Sequence, residues 1–293
     1  MKLRALLATL TLLGTLALGS GLEASAATQP EVACGDNYTS AVLSHDLTCS
    51  TLSVSNGRGN TIDLRGHTLT VTDLFYFQDD AGSILNGKII SPRVVGIGTV
   101  TLNRVTVTGR LATGTSFYID RIPYTAWRVI HSRVNGDVGA AGNLTIDRSV
   151  ITGSVSILAE QQRSSNYNVT KSNIGNGFGV ISYVTEAGGL PLAIIHGNIA
   201  YNKIAGGISV SSNVYDRPSF MPFGGMTITG NVFTNGLGIN IVANAPQSTD
   251  LVLKGNRVKD GGVIYVTGAP FADGGGNKAP GSYPYPQCIG VAC

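Results

Sequence analysis

The sequence IIHGNI at Ile194–Ile199 recurs as ITGNV at Ile228–Val232 and as LKGNRV at Leu253–Val258. Each copy begins with alternating aliphatic residues, and each is followed within a dozen residues by a second alternating segment. Alternation of apolar and other residues is typical of a β-strand with one buried face. The chain therefore repeats a unit that contains two or three short strands.

Weaker copies of this unit extend the repeat towards the N-terminus. Aligning one residue of each copy gives irregular spacings of 16 to 33 residues. A propeller would need four strands in ~40–45 residues, and a sandwich would show hairpins without self-similarity, so these repeats indicate a β-solenoid. The aligned residues are Gly66, Gly87, Arg104, Arg133, Ser149, Asn173, Asn198, Asn231 and Asn256.

The asparagines of this alignment have a structural explanation. In a solenoid, amide side chains at equivalent turns stack from coil to coil and hydrogen-bond along the axis. We therefore predict a ladder rather than a catalytic role for four residues, namely Asn173, Asn198, Asn231 and Asn256.

The composition agrees with many turns between short strands. Glycine accounts for 39 of the 293 residues, against ~7% in typical proteins, and charged residues make up only 13%. With 43% hydrophobic residues and a net charge of +3, the chain can bury a core, so disorder is not expected. The basic residues are dispersed in the sequence without interleaved aromatics, so we expect no nucleic-acid partner.

The first 26 residues have the three parts of a secretory signal peptide. Lys2 and Arg4 provide the positive start, Leu6–Leu18 is the apolar segment, and Ala24–Ala26 is a small-residue cleavage site. No later segment of the sequence is apolar enough to span a membrane. We therefore predict a mature protein that starts near Ala27 and is secreted, either extracellular or on the cell surface.

The four cysteines form two local pairs, one near each end of the mature chain. Four cysteines allow three pairings, and an oxidising compartment lets short-range disulfides persist. We expect disulfides between Cys34 and Cys49 and between Cys288 and Cys293. The histidines are scattered and do not cluster with the cysteines, so we predict no metal site and no cofactor.

Four segments resemble bacterial secreted right-handed parallel β-helix proteins of the pectin-lyase-like superfamily: Ala33–Asp36, Leu43–Cys49, Asn60–Leu69 and Pro286–Cys293. The resemblance implies an all-β, right-handed parallel β-helix of about nine to ten coils with a disulfide at each end. We expect the helix to occupy 27–268 and a Pro/Gly-rich cap to occupy 269–293. The superfamily contains lyases, hydrolases, isomerases and tailspikes, so the resemblance does not specify an activity.

The catalytic motifs of the superfamily are incomplete in this sequence. Its pectin-degrading hydrolases carry Asn-Thr-Asp, Asp-Asp, Gly-His-Gly and Arg-Ile-Lys motifs, which do not occur here in that order. The acidic cluster that calcium-dependent pectate lyases need is also missing from the sequence. Arg121–Arg128 matches only part of a lyase Arg-x-Pro-x-x-Arg motif, and we interpret it as a loop in which Trp127 covers apolar surface.

Candidate binding residues lie on the strand that follows each turn and in the loops after it. Strand alternation directs Ser156, Ser182, Ser209, Asn240 and Tyr265 outwards. The longest insertion, Ser212–Phe220, places an aromatic ring, a carboxylate and a guanidinium in consecutive residues, and long loops on rigid scaffolds often carry function. The candidate catalytic residues are Asp216, Arg217 and Glu186, and the candidate substrate-binding residues are Tyr215, Asn213, Asn240, Tyr265 and Arg163.

Two functions of different classes fit these residues. The first is a polysaccharide lyase or glycoside hydrolase that acts on an extracellular glycan. In a lyase, Arg217 would neutralise a uronate carboxylate while Tyr215 or a neighbour removes the adjacent proton. The alternative is a non-catalytic β-helix that binds a cell-surface glycan or forms part of a surface assembly. In both cases the expected partner is an extracellular polysaccharide or cell-surface glycan, and the sequence specifies no oligomeric state.

Overall fold

The structure is a computed structural model that describes residues 29–37, 39–57, 59–113, 125–159, 165–184, 195–214, 223–235, 238–242, 249–259, 261–267, 272–279 and 288–289. The predicted signal segment 1–26 lies outside these residues. All the regular elements in the described ranges are β-strands. Those ranges include no helix of the length and apolar character that a membrane span requires.

Across the described ranges the strands are joined edge to edge, and their pairings are parallel. The first strands in chain order are β1 (Gly35–Asn37), β2 (Ala41–Val42), β3 (Leu47–Gly57), β4 (Thr61–Asp63), β5 (Thr68–Thr113), β6 (Thr125–Ile130), β7 (Arg133–Asn135), β8 (Val138–Ala141), β9 (Leu144–Asp147), β10 (Val150–Ile151), β11 (Val155–Ala159) and β12 (Ser165–Thr170). The remaining strands are β13 (Asn173–Ile174), β14 (Phe178–Val184), β15 (Ile195–Ala200), β16 (Lys203–Ile204), β17 (Ile208–Val214), β18 (Phe223–Thr229), β19 (Val232–Phe233), β20 (Ile239–Val242), β21 (Thr249–Lys254), β22 (Arg257–Val258), β23 (Ile264–Thr267), β24 (Ala272–Asp273) and β25 (Cys288–Ile289).

From β6 onwards the strands fall into three stacks, which we call faces A, B and C. Face A consists of β6, β9, β12, β15, β18, β21 and β24, each paired with the next. Face B consists of the short strands β7, β10, β13, β16, β19 and β22. Face C consists of β8, β11, β14, β17, β20, β23 and β25. Each of the six coils from β6 to β23 contributes one strand to each face, and the described part of the last coil contributes β24 and β25 to faces A and C, which confirms the predicted parallel β-solenoid.

Strand β5 shows that the winding begins before β6. Its 46 residues would extend over about 150 Å if straight, since a strand rises ~3.3 Å per residue. It pairs with β3 and β4 near its start and with β6, β7 and β8 near its end. Strand β5 therefore follows the solenoid round several corners, and its backbone is left-handed at Asn86 and Arg104.

The core is built from columns of aliphatic side chains that stack from coil to coil. On face A the parallel register aligns six fully buried residues, and each buried aliphatic side chain contributes roughly 1.5–3 kcal/mol. These residues are Val129, Ile146, Val169, Ile199, Ile228 and Leu253. Face B contributes Val134, Ile151, Ile174, Ile204, Phe233 and Val258. The predicted aliphatic interior is thus confirmed.

The corner between faces A and B is a turn with left-handed backbone. One residue per coil has a positive φ between 47° and 72°, and this agrees with the nine to ten coils predicted. The residues are Arg65, Asn86, Arg104, His131, Arg148, Lys171, Tyr201, Gly230, Gly255 and Gly276. The backbone N–H that follows this turn cannot join the regular sheet pairing, so it needs another acceptor.

Side chains of the next coil supply that acceptor. The N–H of Asn202 donates to Asn231 Oδ1 over 3.0 Å, and the N–H of Asn231 donates to Asn256 Oδ1 over 3.2 Å. Each amide also donates to a main-chain carbonyl, such as Asn231 Nδ2 to Ile199 O at 2.7 Å. The ladder runs through Ser132, Ser149, Ser172, Asn202, Asn231, Asn256 and Asn277, which are 17, 23, 30, 29, 25 and 21 residues apart.

The predicted ladder was therefore correct at Asn231 and Asn256 and wrong at Asn173 and Asn198. Asn198 is a face A residue whose Nδ2 donates to Asn168 Oδ1 over 2.8 Å. Asn173 is exposed on face B, next to the true ladder residue Ser172. The aligned repeats were out of register at these two coils, although the parallel winding itself is present.

Two other predictions concern single segments. Thr125–Ile130 is a face A strand rather than a loop, and Trp127 is fully buried in the core rather than covering it from outside. The Cys34–Cys49 disulfide is present, and a disulfide is compatible with a secreted protein. The predicted Cys288–Cys293 pairing and the segment 280–287 lie outside the described residues, and the domain boundaries stay predictions.

Candidate functional site

Face C carries one outward position per coil in a straight row. Neighbouring parallel strands are ~4.8 Å apart, so the row advances by that distance with each coil. Its polar side chains face solvent: three are exposed and the terminal tyrosine is half-buried. The register aligns, in order, Ser156, Gly179, Ser209, Asn240 and Tyr265.

A column made mostly of glycine runs beside this row, immediately before each of the face C strands β11, β14, β17, β20 and β23. The N–H of Phe178 donates to Gly207 O over 2.8 Å, and the N–H of Ile208 donates to Gly238 O over 2.8 Å. These hydrogen bonds hold successive coils in register at the edge of the face. The column consists of Ser154, Gly177, Gly207, Gly238 and Val263.

The row and the column together line an open groove of about 780 Å³ on face C. The glycines give it a floor without side chains, so a ligand can approach the backbone closely. Val263, which is 42% exposed, lies in the same coil as Tyr265 and adds apolar surface at that end. We call this surface the glycine-floored groove.

The glycines of the groove differ in how strongly the packing requires them. A Cβ atom on Gly238 would collide with the carbonyl oxygen of Val263, so the stacking of coils excludes a side chain there. A Cβ atom on Gly179 would meet no atom within 4 Å. A side chain at Gly179 would therefore extend into the groove without disturbing the coils below it.

The groove presents hydrogen-bonding groups and one aromatic ring, in a surface whose described lining residues are uncharged. Ser156 and Ser209 provide hydroxyl groups, and the Asn240 amide provides both donors and an acceptor. The Tyr265 ring offers an apolar face and a polar edge, a combination that suits a ligand with hydroxyl groups around a ring. Within the described ranges, His, Cys, Asp and Glu nowhere gather in groups of three that could hold a metal ion.

The structure brings two predicted binding residues together, because Asn240 and Tyr265 are direct neighbours in the row. Asn213 lies near the end of β17, where its backbone pairs with Tyr183. The other predicted site residues lie outside the described residues: Arg163, Glu186, Tyr215, Asp216 and Arg217. Their roles stay predictions.

The row contains Gly179 where Ser182 was predicted. Ser182 pairs with Ala159 and Ser212, three residues further along the strand than the row, and Gly179 occupies the expected place. The glycine column was missed altogether, although a glycine followed by an alternating apolar strand recurs in the sequence at Gly177, Gly207 and Gly238. This recurring pattern could have indicated the glycine column, but it was interpreted as a strand boundary and not as part of a surface.

Comparison of the chain with protein-family models, with curated proteins and with solved structures finds no match.

Proposed function

We propose that the protein is a secreted carbohydrate-active β-helix protein that binds an extracellular polysaccharide along the glycine-floored groove. The observation that carries the proposal is the straight row of hydroxyl, amide and phenol groups above a floor of glycine. The coils repeat this arrangement at ~4.8 Å intervals, which suits a linear ligand built from repeated units. The resemblance to the pectin-lyase-like superfamily and the signal-like segment 1–26 support the same proposal.

The chemistry of the groove favours a sugar over other ligands. Small-molecule and glycan sites combine apolar or aromatic surface with a few placed polar groups that fix orientation. Here Tyr265 would stack on a sugar ring, while Asn240 and Ser209 would hydrogen-bond to its hydroxyl groups. The uncharged lining of the described groove fits a polysaccharide segment without closely spaced charges.

A second candidate function is cleavage of the bound chain, and one observation favours it. Strands β14 and β17 are neighbours on face C, and their last residues, Val184 and Val214, are paired. Glu186 and Asp216 each follow two residues after these paired positions. The loops that contain the two carboxylates therefore start side by side at the C-terminal end of these face C strands, five residues beyond the row.

Two carboxylates about 5–9.5 Å apart are what acid/base glycoside hydrolysis needs. In the lyase version, Arg217 would neutralise a uronate carboxylate and Tyr215 would serve as the base. Reducing-end and unsaturated-product assays on a glycan panel test this candidate. Loss of product formation in Glu186→Gln and Asp216→Asn, with binding retained, would support cleavage. Binding without product in the unsubstituted protein would reject it.

Binding to the same panel tests the first proposal. Removing the stacking ring in Tyr265→Ala should weaken binding by roughly two- to thirteenfold, since such contacts contribute ~0.5–1.5 kcal/mol. Gly179→Trp should strongly weaken binding because the indole would obstruct the groove between Ser156 and Ser209. Gly179→Ala is the matched control, since a methyl group there contacts nothing and should leave affinity nearly unchanged. A glycan that binds equally to all three variants would refute the proposed site.

A further inference from the structure

The corner between faces A and B carries a stack of long exposed side chains on its central coils. Each occupies the left-handed turn position of its coil, so the side chains follow one another along the solenoid axis. All of them are exposed, and Tyr201 is 64% exposed. We call this stack the basic corner: Arg104, His131, Arg148, Lys171 and Tyr201.

These residues have a left-handed backbone conformation, which is unfavourable for any residue with a side chain. A left-handed conformation costs a residue with a Cβ atom roughly 1–2 kcal/mol, and glycine avoids that cost. The last coils of the same corner use Gly230, Gly255 and Gly276 at the equivalent position. The central coils thus have four basic side chains and a tyrosine at a turn position that glycine fits better. Because these side chains are exposed, burial of apolar surface does not offset the conformational cost. Strain of this kind clusters at functional sites.

A second groove, of about 660 Å³, lies on face A beside the basic corner. Its outward row contributes an arginine followed by hydroxyl and amide side chains on successive coils. That row is Arg128, Thr145, Asn168, Asn198 and Thr227. Arg148, Lys171 and Tyr201 form the rim of the same groove.

The charge of this groove is strongly positive among its described lining residues. Arg128, Arg148 and Lys171 face a single carboxylate, that of Asp147. Asp147 is already engaged, because its Oδ1 accepts a hydrogen bond from Thr170 Oγ1 over 2.7 Å. Its Oδ2 lies 3.9 Å from Arg148 Nε, a distance that neutralises that arginine only in part.

Neighbouring positions reinforce the charge. Arg148 Nη1 lies 3.4 Å from His131 Nε2, so the guanidinium is held along the corner towards the preceding coil. On face B, just past the corner, the outward row adds the exposed cations Arg133, Lys203 and Arg257. The cations therefore continue along the axis for several coils, at intervals set by the ~4.8 Å strand spacing.

Tyr201 gives the groove an aromatic platform at the end of the cationic stack. A Cβ atom on Gly230 would lie 2.8 Å from Tyr201 Cδ1, so the ring rests over the bare turn of the next coil. Gly230 therefore makes room for the ring, while the ring stays open to solvent. An exposed aromatic ring beside amide and hydroxyl groups suits a sugar ring better than a simple inorganic polyanion.

We propose that this face A groove binds a linear anionic polysaccharide. Carboxylate or sulfate groups on the chain would pair with Arg128, Arg148 and Lys171, and one sugar ring would stack on Tyr201. The Asn198–Asn168 amide pair, joined over 2.8 Å, would hydrogen-bond to hydroxyl groups between the charged positions. This site is separate from the glycine-floored groove, which lies on face C and has an uncharged described lining.

The test measures binding of the full secreted chain to polygalacturonate and to heparin, with dextran as the neutral control. We expect both anionic polysaccharides to bind, with affinity that falls as salt rises, and dextran not to bind at this groove. The double variant Arg148→Asn/Lys171→Asn should weaken binding by about tenfold at low salt. Asparagine suits the left-handed turn, and Asn86 occupies the equivalent position in this chain.

Matched variants make the result specific. Lys88→Gln/Arg110→Gln removes the same net charge from exposed positions outside the groove and should leave affinity within about twofold. Tyr201→Asn should weaken polysaccharide binding several-fold without changing the salt dependence, and Gly179→Trp should have no effect. Equal losses in the two charge variants would overturn the proposal. The proposal would also be overturned if neither anionic polysaccharide bound. A third contradicting result is polyphosphate that binds as tightly as the polysaccharides and whose affinity Tyr201→Asn does not change.

Discussion

Replacing Asn231 by alanine tests whether the side-chain ladder holds the coils together. Asn231 is fully buried, and its Oδ1 accepts hydrogen bonds from both nitrogens of Asn202 at 3.0 Å. Its Nδ2 donates to Ile199 O at 2.7 Å and to Asn256 Oδ1 at 3.1 Å. Truncation removes all four of these bonds. The Asn202 N–H then loses its side-chain acceptor, whereas Asn202 Nδ2 keeps Val169 O and Asn256 Oδ1 keeps the Asn231 N–H.

The expected cost follows from these bonds. A buried hydrogen bond contributes about 1 kcal/mol net, and a buried group left without a partner costs about 1–3 kcal/mol. We therefore expect Asn231→Ala to lower the free energy of unfolding by about 4 kcal/mol. Asn231→Ser should cost about half as much, because Ser132, Ser149 and Ser172 show that a hydroxyl accepts the same backbone N–H.

Asn198→Ala is the matched control, since it removes the same residue type from the solvent-facing side of the coil before Asn231. Its described side-chain hydrogen bond is the exposed one to Asn168, so the expected cost is below about 0.5 kcal/mol. Guanidinium chloride titration followed by circular dichroism measures both variants. Equal destabilisation by Asn198→Ala and Asn231→Ala would refute the ladder as described.

Three further changes probe the core. The Tyr167 hydroxyl is buried, which raises its pKa, and no described residue hydrogen-bonds to it. Tyr167→Phe removes this unpaired group and should therefore raise the free energy of unfolding by about 1 kcal/mol. A lower free energy of unfolding would show that the hydroxyl has a hydrogen-bond partner. Gly197→Ala should lower the free energy of unfolding by about 1–3 kcal/mol, since its Cβ atom would collide with the Tyr167 ring in the preceding coil, and Tyr167→Leu should suppress the defect. Denaturant titrations with no midpoint shift in Gly197→Ala would contradict that packing. The double variant Cys34→Ala/Cys49→Ala should lower the free energy of unfolding by about 3 kcal/mol, because the disulfide closes a loop between residues 15 positions apart. Amide hydrogen exchange in the first coils should become faster, and unchanged exchange would contradict this prediction.

The sequence predicts the parallel winding well because both the alternation within strands and the recurrence of the strand–turn–strand unit are visible in it. The ladder is predicted less well from the sequence, because chemically different residues can meet the two structural requirements of the corner. The turn needs left-handed backbone, and the next residue needs a side-chain acceptor. Gly230–Asn231 meets both, and so do Tyr201–Asn202 and Lys171–Ser172. Matching by identity instead selects Gly197–Asn198, where the glycine serves to accommodate Tyr167.

The residues of the candidate site also differ in how well the sequence predicts them. Asn240 and Tyr265 were predictable because alternation fixes the outward side of a short strand. Gly179 was not, because the seven-residue strand β14 offers several outward positions and only its pairing with β11 and β17 selects one. Neither groove could be predicted as a surface, since each is formed by residues about one coil apart whose alignment depends on loop lengths that the repeat does not fix.

The most direct test of the proposed function is a crystal structure of the protein with an oligosaccharide selected from the binding panel. We predict a sugar ring packed within ~4 Å of the Tyr265 ring, with hydroxyl groups bonded to Asn240 and Ser209. An oligosaccharide bound only elsewhere, with the glycine floor open to solvent, would contradict the assignment of face C as the polysaccharide site.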